Sequence, residues 1–136
     1  MLIDVARKYY EKELDYNCAE TMLYAANDYY DLNLSKDALK TMGSFGGGMA
    51  IGNVCGAITG CLAALGVIFV EEKAHESDKI KIITKRFIEN FGKQFGYIDC
   101  APLKDVYRTE EKRCEDMIFA AAEILEEVVV FGKTLE

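Results

Sequence analysis

Val54-Cys55-Gly56-Ala57-Ile58-Thr59-Gly60-Cys61-Leu62-Ala63-Ala64-Leu65-Gly66-Val67-Ile68-Phe69-Val70 contains no Asp, Glu, Lys or Arg. The residues from Met42 onward are also uncharged, and residues 42–70 are long enough to cross a bilayer as one continuous helix. Gly43, Gly46, Gly47 and Gly48 interrupt its first third, Asn53 reads as a helix cap, and the apolar remainder, 54–70, is near the lower limit of a span. A helix that is apolar on every side lies inside a protein or inside a membrane. The broken beginning favours the protein interior, so 54–70 is expected to form the buried central helix of a soluble bundle, with no membrane partner. A lysine at Leu62 should then be severely destabilising, because its charge would have no partner.

Outward from this segment, apolar residues recur at helical spacing. Leu2, Val5, Ala6 and Tyr9 form one stripe, and Cys18, Met22, Ala25, Ala26 and Tyr29 form a second behind Asn17, a candidate N-cap. Ser35 can cap a short third helix, which the glycines at 43–48 terminate. On the other side, Ser77 opens a helix with Ile80, Ile83, Phe87, Ile88, Phe91 and Phe95 facing inward, closing near Gly96. Asp99-Cys100-Ala101-Pro102 reads as a loop, and Thr109 as the cap of a last helix with the stripe Cys114, Met117, Ile118, Ala121, Leu125, Val128 and Val129. The expected fold class is all-α: a small bundle of five to six helices around a buried Gly/Ala-rich centre, forming a single domain over 1–136.

Composition agrees with that class. The chain has 136 residues, 51% of them hydrophobic, with one proline and no tryptophan, enough to bury a core without disulfide or metal staples. A net charge of −7, from 23 acidic and 16 basic residues, offers no cationic footprint for phosphates, so nucleic acid is not an expected partner. Met1-Leu2-Ile3-Asp4-Val5-Ala6-Arg7-Lys8 lacks the basic-then-apolar order of a secretory signal, and a cytoplasmic location is expected. In that reducing compartment five cysteines remain thiols unless they serve catalysis or metal binding.

Gly48, Gly52, Gly56, Gly60 and Ala64 stand four apart, one smooth stripe wherever the segment is helical. Glycine inside a helix costs about 1 kcal/mol against alanine, so something must need the close approach. Tight helix packing is one account; a cofactor surface built from Gly47, Gly48, Gly52 and Gly56 is the other. No Walker pattern and no Gly-x-Gly-x-x-Gly can be drawn through these glycines.

The cysteines are informative by position. Cys18 follows Asn17, Cys55 stands two after Asn53 and Cys100 follows Asp99, each just after a residue able to cap a helix. Free N–H groups and the dipole at a helix N-terminus favour thiolate over thiol, and the thiolate is both nucleophile and metal ligand. Any one of these cysteines can equally be a small buried hydrophobe. Cys55, between Gly52 and Gly56 in a first helical turn, is expected to have the lowest thiol pKa. Cys61 is turned about 120° from Cys55 on a helix and reads as core. His75, the lone histidine, sits among Glu71, Glu72, Lys73 and Glu76 and reads as solvated surface, leaving Ser/His/Asp hydrolysis without support.

Asn17-Cys18-Ala19-Glu20, Phe45-Gly46-Gly47-Gly48 and Val54-Cys55-Gly56-Ala57-Ile58-Thr59-Gly60 together resemble the C_GCAxxG_C_C family of putative redox-active proteins, over about 16–114. The resemblance implies a small helical protein with redox-active cysteines, to which Cys100 and Cys114 supply the last two; Cys61 has no counterpart in it. The leading expectation is a thiol redox or electron-transfer protein, with or without enzymatic turnover, in which Cys18, Cys55, Cys100 and Cys114 converge. The same four thiolates would suit an iron–sulfur cluster or zinc. A third reading is a helical interaction module whose cysteines are inert. A redox partner is implied but not identified, and a homo-oligomer is compatible with the sequence.

Overall fold

The computed structural model describes residues 1–135, and among them every regular element is helical. Seven α-helices follow in order: α1 Leu2–Tyr9, α2 Cys18–Tyr29, α3 Lys36–Lys40, α4 Gly56–Phe69, α5 Lys79–Phe95, α6 Cys100–Tyr107 and α7 Glu115–Thr134. Short 3₁₀ turns occupy Thr41–Ser44 and Ala74–Glu76. No helix among the described residues is long and apolar enough to cross a membrane. Glu136, the last residue of the expected domain, lies outside the described residues.

Local chemistry explains most of these boundaries. Asn17 closes a capping box: its Oδ1 accepts the Glu20 amide at 2.8 Å, and Glu20 Oε1 accepts the Asn17 amide at 2.9 Å. Ser35 caps α3 through the Ala38 amide at 3.1 Å, and Gly96 ends α5 with φ 80°. The segment read as a loop, Asp99-Cys100-Ala101-Pro102, instead opens α6; Pro102 sits in the first turn, where its missing N–H removes no helical hydrogen bond. That helix, added to the six read from the sequence, brings the count to seven.

Three expected caps do not cap. The Asn53 amide donates to the Gly48 carbonyl at 3.0 Å, and Cys55 stands at the N-cap position of α4. Thr109 Oγ1 accepts the Lys112 amide at 3.0 Å inside a turn, so α7 starts only after Cys114, which occupies the N-cap position rather than an inward helical stripe. Ser77 lies before α5 and donates to the Phe69 carbonyl at 3.1 Å.

α4 packs against α2, α5 and α7, and α1 lies on α2 and α7. The shared core includes Leu2, Met22, Ile58, Leu65, Phe87 and Leu125, all fully buried. The contact between α4 and α2 is a backbone contact: a Cβ on Gly60 would lie 2.5 Å from the Ala19 carbonyl oxygen. Close packing therefore accounts for Gly60. α4 is not covered all round, since Val67 is 44% exposed and Leu62 only half-buried. A lysine at Leu62 could carry its amine to water, and the severe penalty expected there belongs to Leu65.

Candidate functional site

The glycine segment before α4 turns left-handed. Gly47, Gly48, Met49 and Ala50 have φ of 63°, 62°, 58° and 65° in succession. Gly48 has a further reason to be glycine, because a Cβ there would collide with the Asn53 backbone. Met49 and Ala50 hold this conformation against a cost of about 1–2 kcal/mol each. The turn delivers the chain to an isolated antiparallel bridge between Val54 and Asp99. Around that bridge the Cys55 amide donates to the Ile98 carbonyl at 2.8 Å and the Cys100 amide to the Asn53 carbonyl at 2.6 Å. Two cysteines distant in sequence are thereby set at the starts of α4 and α6.

Cys18 is the first residue of α2, and Cys114 precedes the first residue of α7. Four helix N-termini thus each carry one cysteine, and Cys18, Cys55, Cys100 and Cys114 all line a single cavity of about 180 Å³. The capping residue Asn17 holds the α2 end to the glycine segment, donating from Nδ2 to the Gly43 carbonyl at 3.2 Å. Cys61 is excluded from this cavity; it is fully buried, with Sγ 3.9 Å from the Ala121 carbonyl. Of the glycines expected to hold a cofactor, Gly47 and Gly56 line the cavity, whereas Gly48 and Gly52 do not. His75 is exposed and does not line it.

The thiols differ sharply in their surroundings. Arg108 Nη1 donates to Cys114 Sγ at 3.2 Å. Interaction with the neighbouring Cys18 thiol, and then the Arg108 guanidinium, pulls the Cys114 pKa down to about 6 against the opposing effect of burial. Cys18 is correspondingly raised well above the usual thiol value, first by that interaction and then by burial. The pair is best described as a protonated Cys18 near a Cys114 thiolate. Burial pushes Cys55 up to about 11 although the Ala57 and Ile58 amides act the other way, and burial also raises Cys100. The expectation that Cys55 is the most acidic thiol is thus corrected: the helix end alone does not outweigh desolvation, and the guanidinium stands beside Cys114.

Tyr10 and Arg113, which sequence reasoning passed over together with Lys104 and Arg108, complete this environment. Tyr10 Oη accepts the Cys114 amide at 3.0 Å, fixing the cysteine's backbone. Arg113 donates from Nη2 to the Tyr10 carbonyl at 2.7 Å and lies 4.1 Å from its ring centroid. One signal was available: Cys100, Lys104 and Arg108 stand four apart, which places thiol and cations on one face of α6 and its end. Among the described residues no group of three His, Cys, Asp or Glu side chains is arranged to hold a metal ion. The iron–sulfur and zinc readings therefore have no preformed ligand set.

Fold and site define an all-helical protein with a thiol-lined cavity. The chain belongs to the family described as "Putative redox-active protein (C_GCAxxG_C_C)", which matches residues 16–128 and so includes all four cavity cysteines. No curated protein and no solved structure matches it significantly.

Proposed function

We propose that the chain acts as one domain in dithiol–disulfide exchange, with Cys114 as the attacking thiolate and Cys18 as its resolving partner. The observation that carries this reading is the placement of Cys114 Sγ 3.2 Å from the Arg108 guanidinium, in the wall of a cavity that Cys18 also lines. An activated thiolate beside a protonated second thiol is the arrangement that exchange requires. Cys114 sulfur attacks one sulfur of a disulfide R–S–S–R, the S–S bond breaks, and the first RS⁻ leaves and takes a proton. Cys18, having given up its proton, then attacks Cys114 Sγ in the mixed disulfide and expels the second RS⁻. Two electrons pass from the protein dithiol to the substrate, and the reverse sequence oxidises a substrate dithiol. Cys55 and Cys100 share the cavity and supply a second thiol pair adjacent to the first.

The test is carried out on reduced protein analysed for metal content and purified without oxygen. Iodoacetamide should label Cys114 first at neutral pH, with a rate profile centred near pH 6. Mild oxidation should yield a Cys18–Cys114 disulfide in the peptide map. Equal labelling of Cys114 and Cys61 at neutral pH, or oxidation without an intramolecular Cys18–Cys114 pair, would overturn the reading. Stoichiometric iron or zinc with all four cavity thiols protected would replace it by metal binding.

A further inference from the structure

The cavity is cationic in an acidic protein. Lys104, Arg108 and Arg113 line it, no Asp or Glu does, and the chain as a whole carries −7. Among the described residues none of these three cations is in an ion pair with a carboxylate. One guanidinium contacts Cys114 directly, whereas Lys104 acts on it only through its charge and Arg113 makes no hydrogen bond to it. Arg113 is held there at some cost: its φ is 54°, in the left-handed region, and its amide is tied back to the Thr109 carbonyl at 2.7 Å. Only one of its donors is used on Tyr10, so the rest of the guanidinium fork remains free for a planar acceptor.

We propose that the substrate of this site is a small disulfide bearing carboxylates, whose negative groups are bound by Lys104 and Arg113 while its S–S bond meets Cys114. The proposal rests on the exchange reading above and adds the charge and size of the substrate. A cavity of about 180 Å³ has room for a low-molecular-weight compound. Elsewhere the acidic surface repels anions, so the local cluster must concentrate them at the thiolate. The electron balance is that already written: two electrons from the Cys18/Cys114 pair, with one proton from Cys18 and one from water, reduce one disulfide to two thiols.

Three disulfides of nearly equal length separate the possibilities: 3,3′-dithiodipropionate, which is dianionic, 2-hydroxyethyl disulfide, which is neutral, and cystamine, which is dicationic. Reduced protein is mixed with each, and Cys18–Cys114 formation is followed by quenching and peptide mapping, with free 2-mercaptoethanol as the reference thiol. Relative to that reference, the anionic compound should be preferred over the neutral one by about tenfold or more at low salt, with cystamine slowest. The preference should shrink as salt is added. The exposed Lys104→Glu should lower the anionic-to-neutral ratio several-fold, a ratio in which any change in thiolate fraction cancels. Equal normalised rates for the three compounds would overturn the anionic substrate while leaving dithiol exchange intact. Failure of all three to produce the Cys18–Cys114 disulfide would instead remove the exchange reading itself.

Discussion

Arg108 stands beside one of the five cysteines. Its Nη1 lies 3.2 Å from Cys114 Sγ, and stabilising the anion lowers the energy of the deprotonated state alone. Replacing it, as Arg108→Gln, removes that stabilisation, so the proton is held more tightly and the midpoint near 6 must move up toward the ordinary thiol value of 9.0. Alkylation of Cys114 should slow most at about pH 7 and converge with wild type in alkaline solution, where both proteins are thiolate. An unshifted profile would show that the guanidinium contact does not control the thiol. This selection was hard to read from the chain. Cys18, Cys55 and Cys100 carried a helix-start signal, and they do stand at helix starts. The acidity of Cys114 comes instead from residues that no periodicity connects, namely Cys18 on another helix and an arginine at the end of α6.

At the level of elements, the glycines divide into two physical roles. Gly60 lets α4 touch the α2 backbone, as its four-residue spacing suggested; Gly47 and Gly48 make a left-handed turn that a helical reading of the stripe could not represent. The difference is one of conformation, because the stripe exists only where the chain is helical, from Gly56 onward. Gly60→Ala should therefore destabilise the fold by about 1–3 kcal/mol, since its Cβ would press on the Ala19 carbonyl and no flexible side-chain end is available to yield there. The higher helix propensity of alanine returns only about 1 kcal/mol. Denaturation with urea would measure the loss, and a variant as stable as wild type would mean that α2 and α4 can separate freely. Legibility at this scale followed the strength of local signals. The Asn17 and Ser35 caps and the α5 stripe were plain, whereas α6 was hidden by a proline that reads as a breaker except in a first turn.

For the whole molecule, a Cys18–Cys114 bond would join the start of α2 to the start of α7 and enclose most of the chain. Closing so long a loop restricts the unfolded ensemble, and typical disulfides of this kind stabilise by about 2–4 kcal/mol. Reduction works in the opposite direction through a separate cause. The reduced folded protein holds Cys114 as a thiolate with its pKa lowered from 9.0 to about 6, which stabilises the reduced fold above pH 9 and is lost progressively as pH falls through 6. The oxidised protein has no thiol at these positions and lacks that dependence. The stability gap between oxidised and reduced forms should therefore be widest near pH 5 and should narrow steadily toward pH 8.5. By the same cycle, the disulfide is easiest to reduce where the thiolate is best stabilised, so it becomes a stronger oxidant, relative to an ordinary dithiol, as pH rises from 6 to 9. Urea unfolding of both forms at about pH 5, 7 and 8.5 measures the gap directly. Arg108→Gln should flatten its pH dependence, and Cys18→Ser should abolish the gap altogether. A gap that stays constant across this range in the wild-type protein would mean that Cys114 titrates as an ordinary thiol in the fold, and the exchange mechanism would lose its nucleophile.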